Sequence, residues 1–213
     1  MTISNTPVRE GGLPLTHIPD ATPVGAMLLT HGAGGNANAP ILIAAATELA
    51  RLGLVVRRYN LPYRQARPSG PPRPAEAVRD REGLRLALSE LRVEYPGPVY
   101  LGGHSYGGRQ ASMLAAEDAA ACDGLLLQSY PLHPPGQPAK LRTAHLGDIA
   151  RPAMFVHGTK DPFGTIEEME SALALIPAPH QLYVIDKAGH DLGRGRDLGY
   201  CAAFLSFLAA QNS

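Results

Sequence analysis

The sequence has no tryptophan, and aromatics of all kinds make up only 6% of its 213 residues. Cysteine is almost as scarce: Cys122 and Cys201 stand alone, far apart and outside any CxxC or Cys/His ligand spacing. That excludes a disulfide framework and gives no metal site, so both thiols are expected to be reduced. Net charge is missing too, because Lys plus Arg and Asp plus Glu each total 19. Without a field of one sign, nucleic acid and membrane surfaces gain no support as partners, and a small molecule is the expected one. No stretch approaches the roughly 18 to 20 uncharged apolar residues of a membrane span, and MTISNTPVREGG lacks the apolar centre of an export signal. A cytoplasmic location is expected, with no membrane partner. Nothing in the sequence marks an oligomeric state.

What is present suits one globular domain over residues 1–213, since 45% of the chain is hydrophobic and 18% charged. Solid apolar runs recur at Ala26–Thr30, Leu54–Tyr59, Val99–Gly102, Leu125–Ser129, Ala153–His157 and Leu182–Ile185. Runs of this kind fit strands covered on both faces of a parallel sheet. Helical spacing falls between them: Pro40–Leu52 ending at Gly53, and Ala77, Leu84, Leu88 and Leu91 on one stripe running to about Tyr95. Thr165 and Glu168 form a capping box ahead of Ile166, Met169, Leu173 and Ile176, and a last helix over about 198–210 buries Phe204, Leu205 and Leu208. Strands alternating with helices predict a doubly wound α/β fold, a mostly parallel central sheet with helices on both faces. Residues 1–23 form an N-terminal edge segment whose first residues, through Asp20, have room for one or two antiparallel edge strands, with Pro7, Pro14, Pro19 and Pro23 counting against them, so the point stays open. Residues 61–77, LPYRQARPSGPPRPAEA, read as a surface loop bordering the substrate entrance. No insertion is long enough for a large lid domain.

The chemistry begins at Gly103-His104-Ser105-Tyr106-Gly107, where an apolar strand runs through GxSxG directly into a helix. In that context the pattern is a nucleophile elbow: a strained turn exposes the serine, and flanking glycines leave room for neighbouring backbone. A serine hydroxyl needs a base. His190, just after the last strand, is better placed than His157 or His180. The base needs an acid, and Asp161, after the preceding strand, completes the chain order Ser, Asp, His; Asp186 and Asp191 are the alternatives. A second amide for an oxyanion is expected from His31-Gly32-Ala33-Gly34-Gly35, at Ala33 or Gly34, opposite the amide of Tyr106. The loop has neither GxxxxGK[ST] nor a full GxGxxG with its acidic partner, so no nucleotide and no other cofactor is expected. His31, Tyr63, His104 and His133 are the candidates for lining the substrate pocket, while Tyr130 is expected to pack. The five arginines Arg57, Arg58, Arg64, Arg67 and Arg73 read as solvated loop charges.

LGGHSYGGR, HGAGG, SYPLHPPGQPAKLRTAHL and HGTKDPFG together resemble the small α/β-hydrolases described as dienelactone-hydrolase-like, in particular the testis-expressed-protein-30-like branch. The resemblance covers roughly residues 24–210. It implies an α/β-hydrolase fold without a large lid, with Ser105, Asp161 and His190 at the triad positions; it supplies no substrate, and the expected partner, a small-molecule acyl substrate, comes from the Ser, Asp and His set itself. Dienelactone hydrolases proper use a cysteine where this chain has serine, which counts against dienelactone itself.

Overall fold

The six apolar runs become the parallel strands of one sheet. The computed structural model describes residues 15–195 and 198–211. Its strands are β1 (Leu15–His17), β2 (Gly25–Thr30), β3 (Leu54–Tyr59), β4 (Val99–His104), β5 (Leu125–Gln128), β6 (Ala153–Gly158) and β7 (His180–Ile185), in the spatial order β1-β3-β2-β4-β5-β6-β7. From β3 to β7 every neighbouring pair is parallel. β1 alone runs antiparallel, with Leu15 opposite Arg58 and His17 opposite Val56. One edge strand of the N-terminal segment is thus present, and residues 1–14 lie outside the described ones. The helices are α1 (Pro40–Arg51), α2 (Pro62–Ala66), α3 (Ala77–Glu94), α4 (Tyr106–Glu117), α5 (Ile166–Leu173) and α6 (Gly199–Ala210).

Alternation along each strand splits the core in two. Leu28, Leu101, Leu127 and Phe155 pack on one face with Leu84, Leu88 and Leu91 of α3, Leu114 of α4 and Met169 of α5. Met27, Leu29, Leu126 and Met154 pack on the other with Leu42 and Leu49 of α1 and Phe204 of α6. Each such side chain, buried in full, stabilises the fold by about 1.5–3 kcal/mol before entropy is counted. Gly53, at φ 102, stops α1 as expected. The Thr165 hydroxyl accepts from Glu168 N at 3.2 Å and the Glu168 carboxylate accepts from Thr165 N at 2.8 Å, closing the capping box. Cys122 and Cys201 are buried and are not joined in a disulfide.

Three expectations are corrected. β7 is not covered on both faces: His180, Gln181 and Val184 are exposed, because this strand is the sheet's outer edge. Residues 61–77 are not a continuous surface loop. Pro62 opens α2 without loss, since a first-turn N–H has no helical acceptor, and the next two residues, Tyr63 and Arg64, are buried. Beyond Leu61, irregular backbone is confined to 67–73, closed off by an Arg67–Glu76 ion pair at 2.6 Å. The arginines, lastly, are not all solvated loop charges. Arg57 and Arg58 belong to β3 and are buried, Arg57 on Glu94 at 2.6 Å and Arg58 on His17 at 3.0 Å and Asn38 at 3.1 Å. Among the described residues no helix is long and apolar enough to cross a membrane.

Candidate active site

β4 ends at His104 and α4 begins at Tyr106, so the reversal falls on Ser105 alone, at φ 52 and ψ −117. A non-glycine residue there is strained and is held by its surroundings. Ser105 N donates to Gln128 O at 2.8 Å, and Ser105 O accepts from Arg109 N at 2.9 Å. The flanking glycines have a steric cause. A Cβ on Gly103 would lie 2.8 Å from the Gly107 carbonyl carbon, and one on Gly107 would lie 2.6 Å from His31 O. The end of β2, the end of β4 and the first turn of α4 therefore meet only because these side chains are absent.

The loops after β6 and β7 bring the partners. Lys160 N donates to Ala188 O at 2.8 Å, tying one loop to the other, and a Cβ on Gly158 would strike that same carbonyl. Across this junction His190 Nε2 lies 2.8 Å from Ser105 Oγ, and its Nδ1 lies 2.8 and 3.1 Å from the two Asp161 carboxylate oxygens. The partners assign the protons: Nδ1–H donates to the carboxylate, leaving the Nε2 lone pair to accept from the serine hydroxyl. Asp161 is buried, and its Oδ1 also accepts from Phe163 N at 3.0 Å. Burial alone would raise its pKa, but the His190 hydrogen bond and charge outweigh that, and the carboxyl sits below its ordinary value. The Phe163 ring lies against the imidazole with centroids 4.3 Å apart. The alternatives have other engagements. His157 Nε2 donates to Gly164 O at 2.9 Å, His180 bonds Ala178 O at 3.0 Å, Asp186 lies 3.4 Å from Thr159 Oγ1, and Asp191 accepts from Gly193 N at 3.1 Å.

The glycine loop after β2 is held from behind. Gly32 O accepts from His31 Nδ1 at 2.9 Å, Ala33 O from Tyr63 Oη at 2.9 Å and Arg64 Nη2 at 3.2 Å, and Gly35 O from Arg64 Nε at 2.7 Å. In a planar trans peptide the N–H points opposite the preceding carbonyl. With the Gly32 and Ala33 carbonyls bound to the interior, the amides of Ala33 and Gly34 face the cleft these residues line, and neither donates to a described residue. The amide of Tyr106, first in α4, also lacks an internal acceptor, as helix geometry requires.

The cleft has a volume of about 590 Å³, within the range of small-molecule sites. Its floor holds Ser105, His190, His104 and the Gly32 to Gly35 loop; Ala39, Pro40, Ile41 and Phe163 form an apolar wall, with Asp191 and Arg194 at the rim. Of the four residues considered for the pocket, His104 lines this cleft and the other three do not. His31 is buried under the loop, its Nε2 accepting from Leu61 N at 3.1 Å. Tyr63 is the clamp on Ala33 just described. His133 faces Glu168 at 3.2 Å and Pro134 O at 2.8 Å, away from the cleft. Residues 61–77 do not border the entrance either; they brace the glycine loop. The sequence reading missed Ile41 and Phe163, though both follow within a few residues of an assigned element: Ile41 is the second residue of α1, after the glycine loop, and Phe163 ends the Asp161 turn.

Burial sets the charge of the histidines packed around the site and the edge. His17, His31, His104 and His145 are each pushed down to about 4, chiefly by burial, so all are neutral near pH 7. His104 Nε2 then donates to His190 O at 2.8 Å, fixing the His190 backbone. The unfolded chain takes up these protons near 6.5 and the folded one near 4, so stability is present above 6.5 and lost as pH falls between those values. His133, raised by its Pro134 and Glu168 bonds, offsets part of this. Urea midpoints should therefore fall steadily across that window; a flat profile would show that these rings are not buried neutral.

A serine on a strained strand-to-helix elbow, an imidazole from the loop after the last strand and an unlidded, mostly parallel sheet define the α/β-hydrolase class. Residues 23–207 match the family described as the alpha/beta hydrolase domain, and the chain belongs to it. Solved structures agree on the fold. An alpha-beta serine hydrolase homologue from Coxiella burnetii superposes with a TM-score of 0.69 at 20% identity, covering 94% of this chain and 91% of that one. An a/b serine hydrolase without lid from Xanthomonas campestris gives 0.71 at 19%, covering 92% and 87%. Dienelactone hydrolase from Anabaena variabilis gives 0.66 at 21%, covering 90% and 87%.

Proposed function

We propose that the protein is a serine hydrolase that cleaves a carboxylic ester, or a thioester or amide, of a small molecule through an acyl-Ser105 intermediate. The observation that carries this reading is the unbroken hydrogen-bonded chain from Ser105 Oγ through His190 to Asp161, at 2.8 Å in each link. His190 Nε2 takes the serine proton as Oγ attacks the acyl carbon, and returns it to the leaving group. It then deprotonates the water that releases the acid. Asp161 holds Nδ1–H and stabilises the imidazolium. The amides of Tyr106 and of Ala33 or Gly34 receive the developing oxyanion, so His104 and the apolar wall remain for substrate contact.

A carboxylesterase is the narrower form of this proposal, supported by the apolar wall of Ala39, Pro40, Ile41 and Phe163 beside the serine. Two buried cysteines that form no disulfide fit a reducing, cytoplasmic setting. A binding scaffold has no use for a strained elbow with its base in hydrogen-bond reach. The test is covalent labelling by an organophosphonate, followed by a chain-length series of activated esters. Labelling should occur and map to Ser105. A folded protein left unlabelled and inert toward every ester would sink the proposal.

A further inference from the structure

Asp80 lies in the first turn of α3, fully buried, and forms no ion pair among the described residues. A carboxylate buried without a cation is costly unless donors satisfy it. Two do, one on each oxygen. Oδ1 accepts from the backbone amide of Tyr63 at 3.0 Å, and Oδ2 accepts from the hydroxyl of Tyr106 at 2.8 Å. The approach of α2 to α3 that allows this is close: a Cβ on Gly83, one turn beyond Asp80, would strike the Pro62 ring and come within 2.9 Å of the Tyr59 hydroxyl.

Both tyrosines lead from this carboxylate to the glycine loop and the elbow. Tyr63 is anchored to Asp80 by its backbone, and its hydroxyl donates to Ala33 O at 2.9 Å, which turns the Gly34 amide to the cleft. Tyr106 is anchored by its hydroxyl, and its own backbone amide is the donor at the elbow. The two rings meet edge to face, centroids 5.9 Å apart at 89°, so neither can swing independently. We propose that Asp80 is the positioning residue of the oxyanion hole, a single buried carboxylate that fixes the distance between its two halves through Tyr63 and Tyr106. This rests on the acyl-serine reading. Burial, helped by the charge of Glu76, raises the Asp80 pKa against the two hydrogen bonds and the charge of Arg79.

The test uses the full chain, with wild type, Asp80→Ala, Tyr106→Phe, Tyr63→Phe and the Asp80→Ala/Tyr106→Phe pair compared on one activated ester. Because misplacing a donor by about 1 Å costs on the order of a hundredfold, kcat should fall about that much in Asp80→Ala and about tenfold in each tyrosine variant, with KM nearly unchanged. A boronic acid, which forms a tetrahedral adduct on the serine, should lose affinity in proportion to kcat/KM. The product acid should bind as before. Adding Tyr106→Phe to Asp80→Ala should cost little more, since both act through one carboxylate. A folded Asp80→Ala with wild-type kcat, a loss confined to KM, or fully additive losses in the pair would overturn the proposal. Should Asp80→Ala not fold, the two tyrosine variants decide, and wild-type kcat in both overturns it. If the wild type is itself inert and unlabelled, the acyl-serine reading fails and this inference fails with it; an active wild type with unaffected variants defeats this inference alone.

Discussion

Replacing Ser105 with alanine should lower kcat about a millionfold, the scale on which a serine nucleophile acts when the rest of its constellation is left in place. The loss is specific because Ser105 Oγ is the atom His190 Nε2 faces at 2.8 Å, and no other hydroxyl is within reach of that nitrogen among the described residues. Folding should be little disturbed. Alanine occupies the same strained φ of 52, and what disappears is one partly buried hydrogen bond worth about 1 kcal/mol. Steady-state kinetics on purified wild type and variant, with melting curves to verify the fold, measure both quantities. Residual turnover near the wild-type rate would mean that Ser105 is not the nucleophile.

Asp161→Asn should cost about ten thousandfold in kcat, although it removes only a charge and exchanges one atom. The local bonds explain why. Asp161 Oδ1 is shared between His190 Nδ1 at 3.1 Å and Phe163 N at 3.0 Å, while Oδ2 meets Nδ1 at 2.8 Å. An asparagine keeps its single acceptor on Phe163 N and turns its amide NH₂ toward His190. The ring must then carry its proton on Nε2, where it cannot accept from serine. Substrate binding does not pass through this contact, so KM should hold. Progress curves for the variant over a substrate range separate the two constants, and an unchanged kcat would remove Asp161 from the chemistry.

The reach of the sequence reading followed the range of the signals. Ser105, His190 and Asp161 were legible because each is tied to a local landmark, a GxSxG turn or the end of an apolar strand, and their chain order narrows the choice further. The strands were legible for the same reason, apart from the exposure of β7, which depends on its place at the sheet's edge and not on its own composition. Arg57, Arg58 and Arg64 were misjudged because charge in a proline-rich neighbourhood resembles a solvated loop, and only tertiary pairing shows the carbonyls and carboxylates that take those charges inside. Tyr63 was singled out for the wrong duty. Its hydroxyl reaches the glycine loop from beneath, a direction fixed by the packing of α2 on α3. Asp80 stands in AVRDREG among other charges, and nothing local distinguishes the one that is buried.

The members of the proposed triad do not rest on equal ground. Ser105 leaves β4, a strand buried between two neighbours, whereas His190 follows β7, the last strand in the sheet order, whose first residues are exposed. Edge strands with few buried contacts open at lower free energy than the interior of a sheet. The proposed nucleophile thus follows an interior strand and its proposed base an edge strand, so warming toward the melting point is expected to displace the proton acceptor first, while the sheet still carries an intact serine.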